Sequence, residues 1–263
     1  MVKRAIWSTA LVAALCAFFS LSAAAQKPKV FTGRIQAGAP AVGTEEPCIV
    51  NTCLLYAGDF DNNGPNPNGL WNGNNTTFGI TGTVYVPFTI PKNWKGASGK
   101  TDWNVTGLFM NEQMLDLTGG GYTATSADWS IVQGVAANGV PTSNKVKTIC
   151  SGTGVPTLTA TGRIAFGFYP EYTIMVTGIA CPILEAGTYW MTLVPTTEDE
   201  AFLSDVEDDT PANVQGPGIE PVDQSFFYAP NFGVNSFEPA APNACLTTGC
   251  DLFSVGVIGT ATH

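Results

Sequence analysis

The sequence is short of the residue that most enzymes use for proton transfer. Its one histidine is the last residue, His263, whereas a Ser-His-Asp or Cys-His site needs an imidazole held firmly in place. No GxSxG, HExxH or phosphate-binding loop occurs, so triad hydrolysis, zincin chemistry and nucleotide-dependent transfer have no motif to start from. Charge is scarce, at 12% of residues, and cations are scarcest: 11 Lys and Arg stand against 21 Asp and Glu. A net charge of −10 makes nucleic acid and anionic membrane surfaces poor partners. Beyond residue 25 no apolar run reaches the length of a transmembrane helix. No stretch carries a helical period, and no repeat of fixed period occurs.

Residues 1–25 read as a secretory signal peptide. Lys3 and Arg4 supply the positive start, an apolar run follows, and Ala23-Ala24-Ala25 offers the small residues of a cleavage site, with Gln26 as the expected mature start. The mature chain is then expected outside the cytoplasm, extracellular, at the cell surface or in the periplasm, without membrane insertion. Removing Lys3 and Arg4 leaves 9 of the 11 basic residues against 21 acidic ones, a net charge of −12. Six cysteines remain: Cys48, Cys53, Cys150, Cys181, Cys245 and Cys250. An even number in an exported chain points to three disulfides. The spacing suggests Cys48–Cys53 and Cys245–Cys250 as local loops and Cys150–Cys181 as a link between distant strands.

Abundant Gly, Thr, Asn and Pro favour an all-β chain. Residues 26–47 read as an extended lead-in, and 48–263 as a single domain. The first strong strand spans 76–91, with Val84, Val86, Phe88 and Ile90 on one face; Pro87 assigns it to a sheet edge or a bulge. Residues 102–117 are apolar on both faces and read as a central strand, with Trp103, Val105, Gly107 and Phe109 together on one of them. Further strands are expected at 128–135, 145–150, 158–168, 172–179, 187–194, 225–232 and 251–258. Short strands between turn signals predict an antiparallel β-sandwich, a jelly-roll or Ig-like variant with long loops.

The stretch Gly58 to Asn75 holds two aspartates, seven asparagines and two prolines, and reads throughout as an ordered loop. Asp59, Asp61 and Asn63 alternate ahead of Gly64, as oxygen ligands to Ca²⁺ do. Position 12 of such a loop is Leu70 rather than a bidentate Glu, and a chain of Asx turns uses the same residues. Residues 198–209 hold seven carboxylates and read as a solvated loop. Trp71 and Trp94, in polar surroundings, are candidates for stacking on a sugar ring, with Tyr228 and Phe232 as further loop candidates. Trp103, Trp129 and Trp190 read as core. Asp102, Glu112, Asp116, Asp128 and Glu171 are the strand acids that a carboxylate-pair hydrolase could draw on.

The motifs Gly58-Asp59-Phe60-Asp61, Trp103-Asn104-Val105-Thr106-Gly107-Leu108-Phe109, Asp128-Trp129-Ser130-Ile131, Glu171-Tyr172-Thr173-Ile174-Met175-Val176-Thr177-Gly178 and Gly187-Thr188-Tyr189-Trp190 follow one another in order. In that order the chain resembles a loose group of uncharacterised exported bacterial proteins, many with a C-terminal PEP-type sorting anchor. The resemblance covers residues 56–195 and implies an extracellular β-sandwich, with no reaction attached. Residues 255–263 show no anchor helix, Pro-Glu-Pro motif or basic cluster. The leading expectation is an exported, non-catalytic β-sandwich that binds or supports at the cell surface, with Ca²⁺ as a candidate stabiliser and carbohydrate or a surface protein as partner. The alternatives are a carbohydrate-binding module and a secreted carbohydrate-active hydrolase using two carboxylates.

Overall fold

In a computed structural model, the structure describes residues 48, 53–58, 69–90, 102–134, 147–165, 168–183, 185–204, 206, 225–240 and 253–262. The signal segment, the lead-in, Asp59, Asp61, Asn63, Trp94, Cys245 and Cys250 lie outside the described residues. The protein is all-β, with two sheets packed as a sandwich.

Sheet I is built on β5 (Asp102–Leu115), a strand of 14 residues apolar on both faces. Along one side of β5 runs β9 (Tyr169–Ile183), which carries β8 (Thr157–Ala165) on its far edge. Two strands share the other side: β14 (Val255–Thr262) covers the first part, and β11 (Glu200–Ser204) covers the end. β1 (Cys53–Tyr56) flanks β14, and β2 (Gly69–Trp71) flanks β11. β5 is thus central, as its two apolar faces require.

The faces of β5 are not those of a simple alternation. Register shifts between Val105 and Gly107 against β9, and between Ile258 and Gly259 in the pairing with β14, put a bulge at Thr106. One extra residue reverses which side chains face inward. Trp103 and Val105 enter the core, but so do Leu108, Met110 and Met114, while Phe109 packs on the outer side with Tyr56 and Ile258. The expected grouping of Phe109 with Trp103 is corrected by that bulge.

Sheet II runs β13 (Val234–Pro239), β12 (Phe226–Ala229), β4 (Ile80–Ile90), β3 (Gly73–Asn75), β10 (Gly187–Thr197), β6 (Ser126–Gln133) and β7 (Lys147–Gly154). Val84, Val86, Phe88 and Ile90 of β4 are buried together. Pro87 is paired with Trp190 of β10 on one side, and β12 on the other side reaches only to Tyr85. The missing N–H of Pro87 therefore falls where no described strand needs it. Across the core, Phe88 of sheet II stacks on Trp103 of sheet I, with ring centroids 6.3 Å apart, and on Tyr189 at 5.6 Å. Cys150 of β7 is bonded to Cys181 of β9, joining the two sheets, and Cys48 is bonded to Cys53.

The stretch expected to be loop up to Asn75 contains two short strands, β2 and β3. The all-loop reading fails there because the asparagine side chains also serve the sheets, although Asn75 Oδ1 still caps a turn by accepting from Phe78 N–H. Asn72 and Asn75 are buried, and Asn75 Nδ2 donates to the carbonyls of Glu198 and Asp199.

Candidate functional site

The site grows out of a split between two strands. β4 and β10 pair from Ile90–Gly187 to Val86–Met191 and then diverge. β3 enters the gap, antiparallel to β4 through Asn74–Thr81 and parallel to β10 through Asn74–Thr196. At the apex sits Asn72, which replaces the ladder bonds the strands have lost. Its Oδ1 accepts from Val84 N–H at 3.1 Å, and its Nδ2 donates to Leu193 C=O at 2.7 Å and to Glu112 Oε1 at 2.6 Å. Only a short side chain with both an acceptor and two donors can do all three.

On the solvent side of this split is an open groove of about 350 Å³, within the size range of small-ligand sites. β4 contributes Thr81, Thr83 and Tyr85, alternate residues on the face away from the core. β6 contributes Asp128 and Ser130, flanking Trp129, whose ring packs against the core with Ala127 and Ile131 as read from the sequence; β10 contributes Thr192 and Val194, and β3 adds Asn74. Trp129 lies against Gly152, where a Cβ would fall 2.8 Å from its ring. Glycine at 152 therefore lets the indole sit flat on β7. Tyr85 borders an aromatic cluster: its ring lies 5.0 Å from Phe237, which lies 5.3 Å from Tyr228. Phe226, Trp190 and Val132 complete the cluster.

Two groups at the groove are chemically unspent. Thr192 is only 5% exposed, and its hydroxyl, out of solvent contact beneath the groove, has no hydrogen-bond partner, a costly state. The exposed Asp128 accepts from Thr153 Oγ1 through Oδ1 at 2.6 Å, which leaves Oδ2 without a partner among the described residues. Hydroxyls, an amide, one carboxylate and a phenol ring beside an aromatic cluster are donors and acceptors suited to a polyhydroxylated ligand.

The predicted residues fall elsewhere. Trp71 is not an exposed loop indole: in β2 it is 5% exposed, packs on Phe202 and Phe232 at 5.3 Å each, and donates Nε1–H to Gly73 C=O. Polar sequence neighbours misled that assignment, because a three-residue strand seats the ring under β4. Phe232 is thereby spoken for, and Tyr228 belongs to the cluster beside the groove. Trp190 joins that outer-face cluster rather than the core between the sheets.

Among the described side chains, the acids Glu112, Asp116, Asp128 and Glu171 do not share a cleft; the side chain of Asp102 lies outside the described residues. Glu112 faces the core between the sheets; Gln113 is the partner of Glu171, so Glu171 projects to the opposite face of sheet I. There Glu171 accepts from Arg163 Nε and Thr161 Oγ1. Asp116 is exposed in a turn, accepting from the N–H groups of Thr118, Gly119 and Gly121. The Gly121 N–H contributes most to holding its carboxyl below the usual range. Burial pushes the Glu112 carboxyl well above that range, opposed by the bond from Asn72. The start of the acidic run is structural rather than solvated: Asp199 is buried and accepts from Leu117 and Thr123 N–H. Among the described residues no three His, Cys, Asp or Glu form a metal-holding group, and no helix is long and apolar enough to cross a membrane.

The fold and groove define a disulfide-bonded, sandwich-like all-β protein with an open polar groove on one sheet face. No family model matches the chain, and a comparison with curated proteins gives no match. Among solved structures, the chain is similar to the cysteine protease and lectin-like domains of Cwp84, a surface layer associated protein of Clostridium difficile. The TM-score is 0.37 and the identity 12%, over 70% of this chain and 33% of that one. The chain thus spans about a third of that structure's length.

Proposed function

We propose that the chain is an exported, non-catalytic β-sandwich that binds a carbohydrate at or outside the cell surface, with the groove of sheet II as its ligand site. The observation that carries this reading is the open groove on sheet II, which offers Tyr85, the exposed carboxylate of Asp128 and Asn74. Support for export comes from the signal-like leader and the disulfides Cys48–Cys53 and Cys150–Cys181. Support for a non-catalytic role comes from the separate placement of Glu112, Glu171, Asp116 and Asp128.

The test is glycan binding by the mature protein, with Tyr85→Ala and Thr192→Val as variants. Tyr85→Ala removes the ring bordering the groove and weakens binding about tenfold. Thr192→Val keeps the shape of the groove and serves as the control: its hydroxyl is out of solvent contact, so binding stays level. Because the hydroxyl has no partner in the free protein, the same change leaves the melting temperature level or higher. A screen of oligosaccharides without a binder sinks the reading, as does a binder indifferent to Tyr85→Ala.

A further inference from the structure

Resting on that reading, we infer that the groove is selective for uncharged glycan chains and rejects uronic-acid chains, with Asp128 as the residue that sets this preference. Among the described residues Asp128 is the only charged side chain lining the groove, and the groove is open, so a chain can lie across it. Thr153 holds one carboxylate oxygen, which fixes the group in place with the other oxygen available. A carboxylate is an acceptor only, and a sugar hydroxyl can donate to it in a charge-assisted hydrogen bond. A uronate carboxylate brought to the same place can donate nothing and meets a like charge.

Nothing described nearby offsets that repulsion. The described cations are Lys147 and Arg163. Arg163 is paired with Glu171 on sheet I. Lys147 pairs with Gln133 at the far end of the β6–β7 ladder, six residues along β7 from Thr153, the partner of Asp128. At about 3.4 Å per residue that is roughly 20 Å, twice the screening length at 0.1 M salt. The chain's net charge of −10 adds a repulsive background. The half-buried Thr83 and Ser130 carry neutral hydroxyls that serve either hydroxyl or carbonyl groups of a sugar.

The experiment uses matched pairs: each neutral oligosaccharide of a screening set beside the same chain oxidised to the uronic acid at C6. Binding is measured calorimetrically for the wild type, Asp128→Asn and Asp128→Lys, with melts to show that each variant folds. The wild type binds at least one neutral chain and binds its oxidised partner tenfold or more weakly, the gap narrowing in 1 M NaCl. Asp128→Asn keeps the acceptor for Thr153 but weakens the neutral chain about tenfold by losing the charge-assisted bond. Asp128→Lys reverses the order within the pair. A wild type that binds the oxidised chain as well as or better than the neutral one overturns this inference while carbohydrate binding stands. So does a neutral-chain affinity that ignores both Asp128 variants. Binding to no member of either set overturns the carbohydrate reading and this inference with it.

Discussion

Replacing Glu112 by glutamine should stabilise the protein, and increasingly so as the pH rises. Glu112 is fully buried between the sheets, accepts one hydrogen bond from Asn72 through Oε1, and has no partner for Oε2. Burial is the larger influence and raises its pKa well above the ordinary value; the Asn72 bond only opposes it. The native state therefore keeps this proton to a higher pH than the unfolded chain, where a glutamic acid titrates near 4.3. Between those two pKa values the native state binds one more proton, so the contribution of this group to unfolding free energy falls by about 1.4 kcal/mol per pH unit. Its stabilising contribution is fully present below about pH 4.3 and is lost as the pH rises toward the native pKa. Glutamine keeps the acceptor for Asn72 and has no proton to lose. Urea unfolding of both proteins, at half-unit steps from pH 4, isolates this one group in the difference. The midpoint gap should widen by about 0.7 M urea per pH unit inside the window, for an m-value of roughly 2 kcal/mol/M. A gap that is flat in pH, or that widens toward acid, would falsify the reasoning: Glu112 would then be ionised in the fold and held as a carboxylate by Asn72.

Four further outcomes follow from the geometry. Replacing Cys150 and Cys181 together by alanine removes a cross-link over a separation of 31 residues and should cost about 3 to 4 kcal/mol in denaturant unfolding under non-reducing conditions; a loss under 1 kcal/mol would mean that the sheets hold without it. Trp71→Ala should cost about 3 to 5 kcal/mol and leave glycan affinity unchanged in the folded fraction; the reverse pattern would restore Trp71 as a ligand residue. Asn72→Ala leaves Val84 N–H, Leu193 C=O and Glu112 Oε1 unserved, at about 1 to 3 kcal/mol for each unmet group; combining it with Glu112→Leu should recover only the carboxylate share, and full recovery would show that the backbone bonds are idle. The Asp116 carboxyl should titrate by NMR below the ordinary aspartate value of about 3.9, so that its stabilising contribution is present above that pH and lost as the pH falls through its native pKa; a midpoint at or above 3.9 would mean that the turn does not close on it.

Legibility in the sequence followed the side chains that obey a period. Val84, Val86, Phe88 and Ile90 alternate without interruption, and all four are buried. The two-sided apolar character of β5 marked it as central, yet its faces were misassigned, because one bulge at Thr106 reverses the parity and nothing local announces it. Read with that shift, Leu108, Met110, Glu112 and Met114 form one alternation, which would have placed Glu112 in the core. The groove was not legible, since it arises where β4 and β10 part, a property of long-range pairing rather than of either strand. Asn72 was hidden for a related reason: an asparagine that completes a sheet looks, in one dimension, like an asparagine that makes a turn, and Asn75 does both, capping Phe78 N–H while it donates to Glu198 and Asp199. Asp199 likewise reads as one acid in a run until its partners, Leu117 and Thr123, are brought beside it.

The position of the groove has a physical logic that ties it to the core. Two strands that diverge within a sheet expose backbone donors and acceptors, and these must be met or the sheet loses stability. A water-filled gap would meet them but would also wet the core behind; an apolar plug would keep the core dry but leave them unmet. Asn72 meets Val84 and Leu193 from within the gap and anchors itself on Glu112 in the interior. The buried carboxyl, costly on its own account, is thereby part of what lets the outer surface open. Glutamine at 112 would preserve the anchor at lower cost, so a stabilised Glu112→Gln variant with intact glycan binding would separate the anchoring role of this residue from its charge.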